Sequence, residues 1–505
     1  MNRDLPPGQN RYLADDFRPL QEEITAEGLP VSGTLPKELN GRFLRNGPNP
    51  IAANPGNYHL FLGDGMVHGV RLHNGKAEWY RNRWVRQAAV NRMLGEPPRK
   101  ELVVGGIDVP VNTNIVQHAG KTLALVESGT LPYELSYELD TIGSHDFEGT
   151  LNGVFSGHPK FDPKTGEMHS VNYLPGVPFV QYCAVSPEGR VNRTVNVPIP
   201  SNPMMHDFAL TENYIILFDL PAVFSPRAAM QGEVIPYLWD ENKVSRFGLL
   251  PRGGMENDIR WVEIPATWIY HTLNAYEVDN RIILYVVTHP RMFKNRIGSV
   301  EGHGAPVLDR YVIDIETGTA EHENLDPRPQ EFPRINEGFT GLYNRYGYTL
   351  STVDLVRSFA LNPEKLSEQD LGNNLMKYDF QTGEKQTHYF KGRSLSEPTF
   401  VEAAVHKGKM TAISCYSNTT PNAARATCAS FPPGTLPPHL WHEYICRPVC
   451  RSGFTATGRP TSNKCPCPHR RLRFYKGFSF ETQRRSAPTP KDALCDGRGI
   501  AAMWT

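Results

Sequence analysis

The sequence predicts an all-β fold, either a β-propeller or a large barrel, and three observations carry that prediction. Short apolar segments alternate with tight turns from about residue 33 to about residue 400, as they do in chains of antiparallel hairpins. The 505 residues include 43 Gly and 43 Pro, and 10% are aromatic, which favours turns and strands over helices. No apolar run approaches the ~18 residues that a membrane-spanning helix needs.

The strands are predicted from segments in which apolar residues alternate with polar ones or form short buried runs. Examples are residues 214–220, 281–288, 310–315 and 376–380. Between such strands, glycine occupies the turn position where a hairpin requires a positive φ. These turns are predicted at 74–75, 164–166, 187–189, 316–318 and 381–383.

Three histidines lie at the edges of predicted strands, each flanked by apolar or small residues. They are His158, His206 and His271, separated by 48 and 65 residues. Each interval is about one propeller blade, so this fold would bring the three side chains to a common axis. A neutral imidazole in such a place either satisfies a core hydrogen bond or holds a metal such as Fe, Zn, Cu or Ni. One such histidine alone indicates a structural role, but three together favour a metal.

Three glutamates also lie at apolar strand edges, and they are Glu127, Glu331 and Glu397. Buried glutamate is rare unless it is paired, and a metal-binding histidine commonly donates its second N–H group to a carboxylate. Three carboxylates match three histidines in number. The other reading of each glutamate is an ordinary surface or salt-bridged residue.

Residues 220–239 break the β pattern, because they are apolar, contain several prolines and have room for a short helix. Two interpretations stay open. The segment either caps one face of the fold, or it forms an exposed apolar lip that touches a membrane and admits a lipophilic substrate.

Residues 10–402 resemble the carotenoid cleavage oxygenases, the non-haem iron enzymes that split carotenoids, apocarotenoids and stilbenes. The matching motifs occur in the same order along the chain. They are 41–50 (GRFLRNGPNP), 61–68 (FLGDGMVH), 124–134 (ALVESGTLPYE), 158–160 (HPK), 205–207 (MHD), 271–276 (HTLNAY), 331–334 (EFPR) and 397–400 (EPTF).

The resemblance implies a seven-bladed β-propeller with a helical and loop dome over an axial Fe²⁺. In the family, four histidines bind the iron and three glutamates hold three of those histidines. The matching positions are His158, His206 and His271 as ligands, with Glu127, Glu331 and Glu397 behind them. His68 has no ligand role in the pattern, and we expect it to be structural. The implied partners are O₂ and a lipophilic substrate held in a dry aromatic cavity.

The composition changes abruptly near residue 403. Residues 403–505 contain 15 Lys or Arg, 4 acidic residues and seven of the eight cysteines, whereas the first 402 residues contain 38 basic and 49 acidic residues and Cys183 alone. The family's fourth ligand belongs to a C-terminal Gly-Phe-His-Gly-Asn-Trp motif that this chain lacks. The histidines of this region are in other contexts, at His406, His439, His442 and His469.

A change of reading frame explains this region. Codons for Phe-His-Gly-Asn-Trp, when read one base later, give Phe-Thr-Ala-Thr and the start of a Gly codon, and residues 453–458 read GFTATG. The same offset converts residues 409–416 into the acidic turn and strand that the family has after its Glu-Pro-Thr-Phe motif. We therefore predict a lead-in segment at 1–30, a propeller oxygenase domain at 31–402 with its last blade damaged, and an out-of-frame, disordered tail at 403–505.

A genuine tail is the alternative. A zinc site would use Cys446, Cys450, Cys465, Cys467 and His469, although their spacing is not that of a standard zinc module. The basic run at 470–473 would attract nucleic acid, but it lacks any fold signal, and we expect no nucleic-acid partner.

The sequence thus predicts an iron-dependent dioxygenase that cleaves a C=C bond of a carotenoid or apocarotenoid to carbonyl products, with activity impaired by the missing ligand. One alternative is a stilbene-cleaving dioxygenase, which the apolar Val126 beside Glu127 disfavours because a phenol needs polar partners. Another is an inactive propeller that binds apolar ligands. The N-terminus shows no signal-peptide pattern, so we expect a cytoplasmic protein with peripheral membrane contact through residues 220–239.

Overall fold

The computed structural model describes most of the first 400 residues. The described ranges are 10–13, 18–32, 34–37, 39–56, 58–59, 61–99, 101–104, 108–233, 235–294, 303–351, 373–390, 395 and 397–400, together with the backbone of 412–420, 423–431, 444–446 and 478–482. Regular structure in these ranges is almost entirely β.

The N-terminal sheet is assembled from both ends of the chain. It has the order β1-β5-β4-β3-β31, and all its pairings are antiparallel. Its strands are β1 (Thr25–Leu29), β3 (Gly41–Pro48), β4 (Gly65–His73), β5 (Lys76–Trp84) and β31 (Phe478–Thr482).

Five four-stranded antiparallel sheets follow along the chain. The second sheet contains β6 (Asn114–His118), β7 (Lys121–Leu125), β8 (Tyr133–Leu135) and β9 (Thr141–Ser144). The third contains β10 (Lys160–Phe161), β11 (Met168–Asn172), β12 (Phe179–Val185) and β13 (Val191–Pro198). The fourth contains β14 (Ala209–Leu210), β15 (Tyr214–Asp219), β18 (Ser245–Pro251) and β19 (Arg260–Ile264). The fifth contains β20 (Trp268–Val278), β21 (Arg281–His289), β22 (Val307–Asp314) and β23 (Thr319–Asp326). The sixth contains β24 (Glu331–Arg334), β25 (Tyr346–Ser351), β26 (Asn374–Asp379) and β27 (Lys385–Tyr389).

These six consecutive sheets confirm the predicted all-β propeller. One further sheet joins β2 (Val31–Ser32) to β30 (Tyr444–Cys446), β29 (Ala423–Phe431) and β28 (Ala412–Thr420). The count of seven blades and the helical dome stay predictions. The predicted tail at 403–505, apart from the backbone of its four strands, lies outside the described residues.

The predicted strands are observed with small shifts at their ends. The strand predicted at 214–220 is β15, which ends at Asp219, and the one predicted at 281–288 is β21, which extends to His289. β22 begins at Val307, three residues before its predicted start. The earlier start arises because the ladder between β21 and β22 continues to the pair Thr288 and Val307. The predicted turn at 74–75 has positive φ at both residues, 47° for Asn74 and 74° for Gly75, as tight hairpins require.

The largest apolar core surrounds the segments that carry two of the histidines. It includes Met205 and Phe208, which flank His206, and Ile269 and Tyr270, which precede His271. Close packing of these neighbours fixes the backbone on both sides of His206 and on one side of His271.

The helices of the described part are short. They are α1 (Ala88–Leu94), α2 (Pro226–Met230) and three 3₁₀ turns at Arg11–Leu13, Glu256–Asp258 and Glu337–Phe339. The helix expected within residues 220–239 is α2, which begins after Ser225, whose side chain accepts a hydrogen bond from the Ala228 N–H group. It lies between β16 (Ala222–Phe224) and β17 (Tyr237–Trp239), which pair with each other. In the described part of the chain, no helix has both the length and the apolar character needed to cross a membrane.

A buried polar network joins the third sheet to the fourth. His169 in β11 bonds through Nδ1 to the Tyr182 hydroxyl at 2.9 Å and accepts at Nε2 from the Arg252 guanidinium at 2.9 Å. Arg252 also pairs with Asp162 at 2.6 Å. Burial and the neighbouring Arg252 charge lower the pKa of His169 to about 4, so the ring is neutral in the folded protein near pH 7.

We expect this histidine to make the protein less stable in mild acid. Below an ordinary pKa of about 6.5, an unfolded histidine gains a proton while His169 in the folded state stays neutral down to about pH 4. The free energy of unfolding therefore falls as pH falls through this window, by roughly 3 kcal/mol at its lower end. Thermal unfolding at a series of pH values should show a shallower decline for His169→Gln than for the wild type. Equal slopes in the two proteins would contradict this account.

Candidate metal centre

Three histidines from three consecutive sheets converge at one point. His158 precedes β10, His206 precedes β14 and His271 lies within β20. One ring nitrogen from each lies within 4.8 Å of the others, and the ring centroids are 4.5 to 5.1 Å apart. The structure thus brings together the three histidines that the sequence singled out.

The direction of His271 depends on an irregularity in its strand. The pairing of β20 with β21 shifts register between Ile269 and Thr272 and again between Thr272 and Asn274. Such bulges turn a side chain away from the regular alternation of a strand, and they are common beside functional sites.

Carboxylates lie behind two of the three imidazoles, and Glu331 is buried whereas Glu127 is half-buried. Glu331 Oε2 bonds to Nδ1 of His271 at 2.7 Å, and Glu127 Oε1 lies 2.7 Å from Nδ1 of His206. A proton on Nδ1 in these contacts leaves the lone pair of Nε2 free to bind a metal. Burial would raise the pKa of Glu331, but His271 and His289 hold it well below its usual range, so the carboxylate is ionised.

Each of these carboxylates also has a second donor that the sequence did not reveal. His289 Nε2 lies 2.7 Å from Glu331 Oε1, and the Tyr173 hydroxyl donates to Glu127 Oε1 at 2.7 Å. Burial and the nearby Glu127 charge raise the pKa of Tyr173 well above its usual range, so this phenol keeps its proton. His289 ends an apolar strand, which is the context that marked the three converging histidines and would have marked this one. Tyr173 has no comparable signal.

The remaining predicted site residues are placed differently. Glu397 is buried and its Oε1 forms a 2.9 Å ion pair with Nη2 of Arg334. His68 lies in β4 with its Nδ1 2.9 Å from the Tyr80 hydroxyl, a structural contact. The described residues form one potential metal-binding cluster, which contains the three histidines. The four histidines of the tail, His406, His439, His442 and His469, lie outside the described residues.

An apolar cavity of about 440 Å³ borders the centre at His206 and Glu127. Its volume lies within the range of small-molecule sites. The wall is formed mainly by apolar and aromatic side chains, among them Phe61, Val126, Tyr173, Met204, Tyr270 and Phe293. Residues 235–237, which belong to the apolar segment 220–239, complete the wall. A molecule inside would lie against an imidazole and have few polar partners.

Known proteins share both the sequence and the fold. Residues 17–411 match the family described as retinal pigment epithelial membrane protein (RPE65). A carotenoid cleavage oxygenase of Mycobacterium tuberculosis is 42% identical over 392 residues, which cover 68% of this chain and 77% of that protein. A carotenoid 9,10(9',10')-cleavage dioxygenase of Phaseolus vulgaris is 34% identical over 385 residues, covering 69% of this chain and 70% of that protein.

A similar fold occurs in the crystal structure of a lignostilbene dioxygenase from Pseudomonas brassicacearum. The two structures superpose with a TM-score of 0.74 and 22% identity, covering 95% of this chain and all of the other. From the extent of the sequence match and the identity to its relatives, this chain belongs to the carotenoid cleavage oxygenases, a family of dioxygenases that depend on non-haem iron.

Proposed function

We propose that this protein cleaves a C=C bond of a carotenoid or apocarotenoid to two carbonyl products, with Fe²⁺ held by His158, His206 and His271. The observation that carries the proposal is the convergence of the three imidazoles beside an apolar cavity. Imidazole nitrogens suit Fe²⁺, and three of them leave coordination positions for O₂. Addition of both oxygen atoms of O₂ across one C=C bond gives two C=O groups, so the reaction needs no further reductant.

The protein's own residues would hold and orient the reactants. Bound iron supplies the O₂ chemistry. Glu127 and Glu331 keep Nδ1 of their histidines occupied, and Tyr173 keeps Glu127 in place. The cavity wall excludes water and positions an apolar polyene against His206. We propose that Glu397 would support a fourth ligand in a frame-restored protein, whereas in this chain it pairs with Arg334.

A stilbene-cleaving dioxygenase is the second candidate within this family. Val126 lines the cavity beside Glu127 and offers no hydrogen bond to a phenol, which favours the apocarotenoid. Parallel assays with an apocarotenal and a hydroxystilbene decide between the two substrates.

We also propose that residues 403–505 are out of frame and that the chain therefore lacks its fourth ligand and an intact last blade. Two observations support this: the family match ends at residue 411, and the composition changes near residue 403. Sequencing the gene across codons 398–412 tests it directly, because an intact frame there would refute it.

The activity is tested by expressing this chain and its frame-restored form side by side. We expect the restored protein to bind iron fully and to bleach an apocarotenal in the presence of O₂. This chain should retain less iron and less activity, because three ligands hold the ion less firmly than four. An iron-loaded restored protein that leaves both substrates intact would refute the proposed reaction. Full iron content and turnover in this chain would refute the damaged site, and an iron-free chain that still binds the apocarotenal would indicate an inactive propeller.

The carboxylate behind His271 gives a second test. Glu331→Gln replaces a full negative charge by a neutral amide, and removing such a supporting group usually weakens metal binding about 10- to 100-fold. Equilibrium titration with Fe²⁺ under anaerobic conditions measures the change. Glu323→Gln is the control, because Glu323 is exposed and pairs with Arg310 on the outer strands of the fifth sheet. Equal affinity for wild type and Glu331→Gln would contradict the role of this carboxylate.

We propose a cytoplasmic protein that takes up its substrate at a membrane surface through residues 220–239. Met230 at the end of α2 is 83% exposed, and residues 235–237 of the same segment line the cavity. An exposed apolar side chain in a segment that also lines the cavity suits insertion into the outer layer of a bilayer.

This contact predicts that the protein sediments with phosphatidylcholine vesicles and that Met230→Glu abolishes the association, because a carboxylate resists burial among acyl chains. Met255→Glu is the control, since Met255 is 52% exposed but lies outside this segment. Absence of binding by the wild type, or equal binding by both variants, would refute the contact.

A further inference from the structure

The relative position of the three histidines depends on contacts that join the three segments carrying them. Glu127 and Glu331 each contact one converging histidine from a different sheet, so they orient individual rings. They do not link the segments that carry His158, His206 and His271 to one another. A second carboxylate system lies next to the centre and makes these links.

That system is centred on Asp207, the residue that follows His206. Asp207 is 3% exposed, and its Oδ1 lies 2.8 Å from Nζ of Lys160, two residues after His158. Its Oδ2 accepts from both the backbone N–H and the hydroxyl of Thr272, each at 2.8 Å. Thr272 follows His271. One carboxylate therefore contacts a residue beside each of the other two histidines.

The network leaves little freedom to the participating groups. Asp207 Oδ1 also accepts from the Phe208 N–H at 2.8 Å, which fixes the carboxylate against its own backbone. The Thr272 hydroxyl lies 3.2 Å from the Phe208 carbonyl oxygen, and the Lys160 ammonium lies 5.9 Å from the centroid of the Phe208 ring. A buried carboxylate with an ammonium partner and several N–H and O–H donors is held far more firmly than a surface ion pair.

We propose that Asp207 is a positioning residue for the metal centre. Its contacts hold the third, fourth and fifth sheets together, so that the three imidazole nitrogens lie close enough to bind one metal ion. The inference rests on the proposed metal centre. Asp207 itself is outside the three-histidine cluster and does not line the cavity. Its removal should let the three segments separate, which would lower metal affinity and change the ligand geometry even where the fold persists.

The test compares two buried aspartates by Co²⁺ binding, which needs neither O₂ nor substrate. Asp207→Asn removes the charge that holds Lys160, and we expect Co²⁺ affinity to fall about 10- to 100-fold, with a changed d–d absorption spectrum. Asp219→Asn is the matched control, because Asp219 is fully buried, lies in β15 and binds two cations, Lys243 and Arg246. The control should lose thermal stability but keep the affinity and the spectrum of the wild type.

A milder pair covers the case in which Asp207→Asn does not fold. Thr272→Val removes one hydroxyl donor and keeps the N–H donor, and we expect a threefold to tenfold loss of Co²⁺ affinity. Thr122→Val is its control, because the buried hydroxyl of Thr122 in the second sheet accepts from the charged Arg42 of the N-terminal sheet.

The outcomes separate the two proposals. Unchanged affinity and spectrum in the Asp207 and Thr272 variants, with Co²⁺ bound by the wild type, would overturn the positioning role and leave the metal centre standing. Equal losses of Co²⁺ affinity in the control variants would overturn the positioning role as well, since they would indicate that reduced stability alone weakens metal binding. A wild-type protein that binds no Co²⁺ would overturn the metal centre and this inference together.

Discussion

The candidate metal centre depends on one constraint: a buried imidazole can offer only one of its two nitrogens to a metal. The choice is made by what holds the other nitrogen, and here the contact to Nδ1 comes from a carboxylate for both His206 and His271. A buried negative charge such as that of Glu331 would be costly without partners. Each carboxylate has a second donor, which is Tyr173 for Glu127 and His289 for Glu331. Each histidine–carboxylate pair therefore belongs to a polar network of three side chains.

A propeller solves the geometric half of this problem. The third, fourth and fifth sheets each bring one histidine to the centre, and apolar packing fixes the backbone beside His206 and His271. The largest core cluster includes residues on both sides of His206 and the two residues before His271. Packing fixes the position of the backbone. The strand bulge at His271 and the carboxylate contacts of His206 and His271 then set the direction of the rings. The apolar cavity is the other product of the same packing, since its wall shares Met204, Tyr270 and Phe293 with that core.

Much of this arrangement was readable from sequence because it repeats simple patterns. Alternating strands, glycine turns and an apolar context identified the sheets and the three converging histidines. Hydrogen-bond and ion-pair partners that are brought together only by the tertiary fold cannot be predicted from the sequence. Asp207 stands beside His206 in the chain, yet its link to Lys160 and Thr272 is made across two sheet boundaries. The bulge that directs His271 has no Gly or Pro to mark it. Glu397 was assigned by motif, and its observed ion pair with Arg334 comes from the approach of two segments distant in sequence.

The C-terminal region shows why pairing of strands and completion of a metal site are different requirements. The outer edge of β3 exposes backbone N–H and C=O groups that any extended chain can pair, and β31 occupies that edge from Gly41 to Arg45. Backbone ladders carry almost no information about side chains. A fourth imidazole ligand, by contrast, requires a histidine side chain, and GFTATG at 453–458 contains no histidine. If the tail is out of frame, as proposed above, β31 would still complete a sheet edge, whereas the metal centre would lack its fourth ligand.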